Sequence, residues 1–161
     1  MMIIKSLRLD NIRSYSKGEI LFPEGSTMLS GDIGSGKSSI LLAVEFALFG
    51  SRRKHLSGSS LLRNGEKKGS VELKLDIGGK EIIIKRNLKR QKKDVLQDSG
   101  YMITDGIKKE CSPVELKSNV LKTLGYPENL LTKSKDLIFR YTVYTPQETM
   151  KQILFENSKE I

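Results

Sequence analysis

Residues 31–38 follow the pattern Gly-x-x-x-x-Gly-Lys-Ser, which constrains the fold of this chain more than any other feature. The apolar run at 27–29 predicts a strand before the pattern, and residues 38–49 predict a helix after it. Between a strand and a helix, the glycines let backbone N–H groups surround an anion at the helix N-terminus. A glycine turn that opens an ordinary helix is the alternative, but both flanking elements favour a phosphate-binding loop. The pattern therefore predicts a nucleoside triphosphate site.

The helix predicted over residues 38–49 is apolar on nearly every side, and Gly50 follows it as a C-terminal stop. A helix without a polar face is buried, so we expect this one to lie inside the domain between layers of sheet. Before the loop, Leu7 and Leu9 alternate with polar residues, which predicts an opening strand. Residues 19–22 predict a second strand.

Residues 71–77 and 80–86 flank Gly78-Gly79 and carry the signature of a two-residue β-hairpin. The cross-strand pairs expected in that register are Leu75 with Ile82, Leu73 with Ile84, and Glu72 with Lys85. Asp105-Gly106 predicts a second turn, between strands at 101–104 and 107–110. Residues 112–115 (Ser-Pro-Val-Glu) predict a helix that begins with a capping box.

The end of the chain predicts a helix over 127–138, a short strand at 141–144 and a last helix from Thr149. The spacing of Met150, Leu154, Asn157 and Ile161 fits the start of a coiled coil, and it fits an amphipathic surface helix equally well.

The composition of the 161 residues suits one domain with a net charge of +9. That charge favours a polyanionic partner, although it also keeps a protein soluble. The single cysteine, Cys111, excludes an internal disulfide and indicates a free thiol in a reducing cell interior. We expect no membrane segment and no signal peptide, and a cytoplasmic protein.

The triphosphate site is incomplete as written. Mg²⁺ normally needs an acidic residue at the end of an apolar strand, and no such strand follows the loop. Asp76 and Gly79 match a GTPase-like Asp-x-x-Gly pattern, but the hairpin turn explains them better. Gln147 is the best candidate for a group that contacts the metal or the attacking water. Arg13, at the end of the first strand, could contact phosphate or could be an ordinary surface arginine.

A basic run occupies residues 85–93. Lys85 is explained by Glu72, whereas the other cations are expected beyond the paired strands. A solvated loop is one interpretation, and contact with a DNA backbone is the one that the global charge favours. The candidate DNA-binding residues are Lys89, Arg90, Lys92 and Lys93. Because no aromatic residues are interleaved with them, duplex DNA fits better than a single strand.

Four segments together resemble a known family. They are residues 11–15 (Asn-Ile-Arg-Ser-Tyr), 31–39, 61–65 (Leu-Leu-Arg-Asn-Gly) and 144–148 (Tyr-Thr-Pro-Gln-Glu). In order and spacing they resemble the N-terminal ATPase segment of Rad50, a DNA-repair relative of SMC proteins and ABC transporters. The resemblance implies an α/β fold, the N-terminal lobe of an ABC-type P-loop ATPase head. Mixed sheets would surround a buried P-loop helix over residues 1–148, and residues 149–161 would begin a coiled coil.

The resemblance also implies residue roles for ATP and Mg²⁺. Lys37 and Gln147 would be catalytic, and Ser38 and Gln147 would ligate the metal. The nucleotide would be bound by Arg13, Ser14, Gly31, Asp32, Ile33, Gly34, Ser35, Gly36, Lys37, Ser38, Ser39, Leu62, Arg63 and Asn64. The family commonly has Asn where this chain has Ile33, so one side-chain contact near the phosphates would be lost.

By the same resemblance, the acidic metal ligands and the signature motif come from a C-terminal segment of the same ATPase. Two heads would then dimerise around ATP and clamp double-stranded DNA for break repair with an Mre11-type nuclease, at the nucleoid or in a nucleus. An SMC- or RecN-type DNA-organising ATPase is the first alternative. A standalone P-loop nucleotide switch or kinase is the second, and it would need its own acidic Mg²⁺ ligand.

Overall fold

The computed structural model describes residues 2–51 and 56–126 of the chain. The chain divides into two compact units, Met1–Gly125 and Tyr126–Ile161. The elements of the first unit are β1 (Met2–Ile12), β2 (Tyr15–Leu21), α1 (Lys37–Phe49), α2 (Gly58–Leu61), β3 (Lys68–Ile77), β4 (Lys80–Gln91), β5 (Asp94–Thr104), β6 (Ile107–Cys111) and α3 (Pro113–Thr123). The elements predicted after residue 126, and Gln147 with them, lie outside the described residues. Within the described part, none of the helices has the length and apolar character that a membrane span requires.

The six strands form one antiparallel sheet in the order β2-β1-β3-β4-β5-β6. Side chains alternate across it, so that Val71, Leu73 and Leu75 of β3 are fully buried on one face. Helix α1 packs on this inner face against β1, β3 and β4, and α2 and α3 contact its other sides. The predicted α/β fold with a buried P-loop helix is therefore confirmed, and the described residues supply one of the expected sheet layers.

Helix α1 provides the centre of the core. Ala43, Phe46 and Ala47 are fully buried, and burial of a side chain such as Phe46 contributes about 1.5–3 kcal/mol. The small alanines let the helix approach the sheet closely. Leu41, near the start of the helix, is an exception with 46% of its surface exposed, whereas all residues from Ala43 to Phe49 are buried. Gly50 ends the helix as predicted, and its N–H donates to the Phe46 carbonyl at 2.8 Å.

The hairpin predicted around Gly78-Gly79 is confirmed in its register. Leu75 lies opposite Ile82, Leu73 opposite Ile84, and Glu72 opposite Lys85. The second turn at Asp105-Gly106 also joins two paired strands, β5 and β6. Both turns could be predicted from the sequence, because a glycine turn and a period-two apolar pattern specify the same register.

One local prediction was wrong, and one short helix was not predicted. Residues 26–30 form no strand in the described structure, and Met28 is 87% exposed. An isolated apolar run becomes a strand only when a neighbour satisfies its backbone, and the described residues place no strand beside it. Helix α2 was missed within the polar stretch before β3. Its N-cap is Ser57, whose side chain accepts a hydrogen bond from the Ser60 N–H.

The basic run was also placed wrongly. Strand β4 continues to Gln91, so Lys89 and Arg90 pair with β5 instead of lying beyond the strands. The Arg90 Nε donates to the Glu66 carbonyl at 3.0 Å. Only Lys92 and Lys93 form a loop, as the two-residue turn between β4 and β5. Arg86 is fully buried on the inner face. The predicted strand ended at residue 86, too early, because the last residues of β4 are mostly polar.

The outer face of the sheet carries a chain of polar contacts. Arg8 forms ion pairs with Glu19 at 3.5 Å and with Glu72 at 3.7 Å. The Tyr101 hydroxyl donates to Glu72 Oε2 at 2.7 Å, and the Lys108 ammonium lies 4.3 Å from the centre of the Tyr101 ring. Burial, together with this hydrogen bond, raises the pKa of Tyr101 to about 12. These contacts connect five of the strands, all except β4, on the face opposite α1.

Helix α3 begins with the predicted capping box. The Ser112 side chain accepts from the Glu115 N–H at 3.3 Å, and the Ser112 N–H donates to Glu115 Oε2 at 2.8 Å. That backbone hydrogen bond is the main reason that the pKa of Glu115 is lowered, and the Ser112 side chain adds to it.

Replacing Glu115→Ala should therefore destabilise the chain in a pH-dependent way. A carboxylate with a lowered folded pKa stabilises the fold above its unfolded pKa, and that contribution is lost as the pH falls through the folded pKa. Urea unfolding should show wild type to be more stable than the variant at neutral pH, with the difference shrinking on acidification. Lys117→Ala, on the same helix, is the control and should show no such convergence. A constant difference between wild type and Glu115→Ala would contradict the prediction.

Candidate nucleotide-binding site

The loop at residues 31–38 has a backbone that only its glycines allow. Gly36 has φ 92° and forms the N-cap of α1. This left-handed conformation is strained for any residue with a Cβ. A Cβ added to Gly31 would lie 2.7 Å from Ser35 Oγ, so the loop closes tightly on itself. The predicted turn from loop to helix is present, although the strand predicted before it is not.

Lys37 lies across this loop. Its ammonium donates to the carbonyls of Gly31 and Asp32, the second at 3.0 Å. A lysine in this position is a point charge that phosphate oxygens can share with those carbonyls. The loop therefore holds its one cation where a phosphate-binding loop uses it.

The first turn of α1 is open to an anion. Gly36 supplies no side-chain cap, and the first turn contains no acidic residue. Its backbone N–H groups and the positive end of the helix dipole are thus available to phosphate. Ser38 is exposed beside them, whereas Ser39 is buried. The cradle, the lysine and the open helix end together fit a nucleoside triphosphate.

Hydrogen bonds join the turn between β1 and β2 to the segment around the end of α2. The Arg13 N–H donates to the Leu61 carbonyl at 2.8 Å, and the Arg63 N–H donates to the Asn11 carbonyl at 2.9 Å. Arg63 Nη1 also donates to the Arg13 carbonyl at 3.1 Å. The structure therefore brings together two of the segments that the sequence resemblance singled out. Leu62 between them is 2% exposed.

Tyr15 connects that turn to the phosphate loop. Its hydroxyl donates to the Gly36 carbonyl at 3.5 Å, and a Cβ added to Gly36 would lie 2.7 Å from the hydroxyl oxygen. Tyr15 belongs to one of the segments that carry the family resemblance, and no role was predicted for it. A signal was present, because an aromatic residue next to the basic turn could pack on a glycine backbone.

The predicted residues thus have different surroundings. Arg13, Ser14, Asp32, Ile33, Gly34, Ser35 and Asn64 are exposed, Gly36, Lys37 and Arg63 are half-buried, and Leu62 and Ser39 are in the core. Ile33, the departure from the family pattern, is fully exposed in the loop. Because the Leu62 side chain is buried, Arg63 and Asn64 are the accessible members of their segment.

The acidic residues give no metal site in the described part of the chain, where no three His, Cys, Asp or Glu side chains converge. Asp76 accepts a hydrogen bond from the Gly79 N–H at 2.9 Å within the β3–β4 turn. Its role in the hairpin is therefore confirmed.

A glycine loop that opens a buried helix on an antiparallel sheet defines the class of fold, which is that of the N-terminal lobe of an ABC-type P-loop ATPase. Solved structures share the fold. A structure from a study of ATP-driven dimerisation and DNA-stimulated activation of SMC ATPases is 21% identical, with a TM-score of 0.56, over 95% of this chain and 97% of that one. A structure of the recombination mediator protein RecF with ATP is 21% identical, with a TM-score of 0.53, over 70% of this chain and 29% of that one.

A model of the AAA domain family matches residues 6–161, and the chain belongs to that family. The DNA double-strand break repair Rad50 ATPase of Thermoplasma acidophilum is 34% identical over 154 residues, which are 95% of this chain and 16% of that protein. The Rad50 ATPase of Methanococcus maripaludis is 39% identical over 93 residues, which are 58% of this chain and 9% of that protein. The resemblance to the N-terminal ATPase segment of Rad50 is confirmed. The chain spans only a small part of these relatives.

Replacing Gly36→Ala should abolish nucleotide binding more completely than Gly34→Ala. Both glycines have positive φ, so both changes strain the loop by about 1–3 kcal/mol. A Cβ at Gly34 meets nothing within 4 Å, whereas one at Gly36 meets Tyr15. Titration with a fluorescent ATP analogue measures the difference, with circular dichroism to verify folding. Equal affinities for the two variants would show that the Tyr15 contact does not shape the loop.

Proposed function

We propose that this chain is the N-terminal half of a Rad50-like ATPase head that binds Mg-ATP. The observation that carries the proposal is the loop at residues 31–38, where Lys37 bridges the carbonyls of Gly31 and Asp32 beside an open helix N-terminus. The family match and the Rad50 relatives support ATP as the nucleotide.

The chemistry of each side chain suits it to a different part of Mg-ATP. Lys37 and the backbone N–H groups of residues 31–39 hold the phosphates, and the Ser38 hydroxyl ligates Mg²⁺. Arg13 and Ser14 bind near the phosphates, and Arg63 and Asn64 line the ribose or base. A metal held at Ser38 would supply positive charge that offsets the charge on the phosphates. Gln147 is proposed as a second metal ligand that also responds to nucleotide.

The remaining groups would come from other chains or segments. We propose that a C-terminal segment of the same ATPase supplies the acidic ligands and the signature motif, and that two heads dimerise on ATP. The small share of the relatives that this chain spans supports the first part. The SMC structure that shares the fold comes from work on ATP-driven dimerisation, which supports the second.

Double-strand break repair is the preferred process, with an Mre11-type nuclease as partner. The relatives from Thermoplasma acidophilum and Methanococcus maripaludis are Rad50 ATPases of that repair, at 34% and 39% identity. The SMC and RecF structures reach 21%, which supports a shared fold only. Rad50 is for this reason preferred to an SMC-type organiser.

The β4–β5 hairpin is the proposed contact with duplex DNA. It ends in the exposed turn Lys92-Lys93, and Lys89 is exposed on β4 nearby. Arg90 is held by Glu66 and Lys67 backbone carbonyls, so it has a structural role as well. The lysines are therefore the better probes of a phosphate contact.

ATP hydrolysis should require a second segment. Residues 1–161 alone should bind ATP weakly and hydrolyse it barely above background, because the acidic metal ligands are proposed to lie elsewhere. Adding the C-terminal segment encoded by the same gene should raise phosphate release by several orders of magnitude, and Lys37→Ala should cancel the gain. Robust Lys37-dependent turnover by the 161 residues alone would disprove the half-site.

Reversing Lys89, Lys92 and Lys93 to Glu should weaken duplex DNA binding and flatten its dependence on salt. Each lost phosphate contact lowers the slope of log K against log salt by about 0.9. The matched control reverses Lys17, Lys109 and Lys117, which are exposed elsewhere and change the net charge equally. Fluorescence anisotropy across a salt series measures both. Equal losses for the two triple variants would assign the effect to overall charge.

A further inference from the structure

Arg86 is a charged side chain in the middle of the core. It is fully buried on the inner face of β4, and burial lowers the pKa of its guanidinium to about 10. The group is thus still a cation at neutral pH. A cation in the core is costly unless hydrogen bonds replace its water, so its partners identify what it does there.

The partners of Arg86 are the last carbonyls of helix α1. Its Nε donates to the Ala47 carbonyl at 2.7 Å, and its Nη2 donates to the Leu48 carbonyl at 3.2 Å. Those carbonyls have no partner within the helix, and a cation at this end also complements the helix dipole. With the Gly50 N–H on the Phe46 carbonyl, the end of α1 is fixed from β4.

A bulge in β5 lies directly opposite Arg86. Lys85 pairs with Tyr101 and Asn87 with Asp98, so two residues of β5 face Arg86 alone. A Cβ added to Gly100 would overlap the Lys85 carbonyl, so glycine is required at the bulge. Arg86 itself keeps the regular inward alternation of Ile84 and Leu88 on β4. Its side chain therefore lies on the same inner face as α1, where it reaches the end of that helix.

One nitrogen of the guanidinium group, Nη1, differs from the other two. It is buried without a hydrogen-bond partner among the described residues. The carbonyls of Ala47 and Leu48 are thus the hydrogen-bond partners of the guanidinium within the described part of the chain. A shift of α1 along its axis would change those bonds.

Arg86 lies between the helix that carries the phosphate loop and the strand that carries the cationic end of the β4–β5 hairpin. The phosphate loop opens α1, and Arg86 holds the other end of the helix, about 20 Å away. Three residues beyond Arg86 on the same strand, Lys89 begins the cationic end of the β4–β5 hairpin. The helix between the two ends has 13 residues and is mostly buried, so a shift of the whole helix moves both ends together.

We propose that Arg86 is a positioning residue that couples nucleotide binding at the start of α1 to the β4–β5 hairpin. The inference rests on the proposed nucleotide site and adds a route by which that site acts on a distant surface. Phosphate binding pulls on the loop and α1, the Arg86 bonds carry the change to β4, and the coupling is reciprocal.

Hydrogen exchange on the wild-type chain of 161 residues tests the coupling without any variant. Saturating Mg-ATP should slow exchange at residues 31–40, and also at residues 47–51 and 84–91. Protection confined to residues 31–40 would overturn the coupling while leaving the nucleotide site intact. No protection anywhere would instead overturn the nucleotide site on which the coupling rests.

Arg86→Lys tests the residue itself. Lysine keeps the charge but cannot chelate two carbonyls, so nucleotide affinity should fall about tenfold and protection at 84–91 should disappear. Leu75→Ala, a buried change in β3 opposite Ile82, is the control for lost stability and should keep both. If Arg86→Lys lowers only the melting temperature, as Leu75→Ala does, Arg86 is structural and the proposal is wrong. If Arg86→Lys does not fold, the wild-type exchange pattern decides.

Discussion

The burial of helix α1 on the inner face of the sheet requires that its two polar ends be satisfied without much help from water. A helix leaves four N–H groups and four carbonyls without internal partners, and the middle of α1 is surrounded by apolar side chains. The carbonyl end is satisfied by Gly50 and by the buried Arg86. The N–H end opens into the glycine loop at residues 31–36. The same helix is thus both the centre of the core and the support of the phosphate site.

The backbone around the site is fixed mainly by contacts between segments that are distant in sequence. Asn11 and Arg13 have positive φ angles of 50° and 48°, which few residues other than glycine adopt. Their conformation is held by backbone hydrogen bonds to Leu61 and Arg63. Tyr15 then places this turn beside Gly36. Strain of this kind persists only where the surrounding structure determines it, which is typical of functional sites.

Much of the fold could be predicted where two local signals agreed. The β3–β4 register follows from Gly78-Gly79 together with the alternation on either side, and the α3 capping box follows from Ser112 and Glu115. The prediction was wrong where one signal stood alone. The apolar run at 27–29 has no strand beside it in the described structure. The second half of β4 was not predicted as strand because it carries several cations.

The sequence by itself determined the phosphate loop, because the spacing of glycines, Lys37 and Ser38 specifies a local conformation whose bonds from Lys37 stay within residues 31–38. It also determined that α1 is buried, because a helix without a polar face has no other place. Only the tertiary structure decided that Arg86 is a core residue. In sequence it is one cation among many, and what distinguishes it is a bulge in β5 and the carbonyls of Ala47 and Leu48, nearly forty residues earlier. Long-range hydrogen bonds leave no local pattern, so they could not be read from the chain.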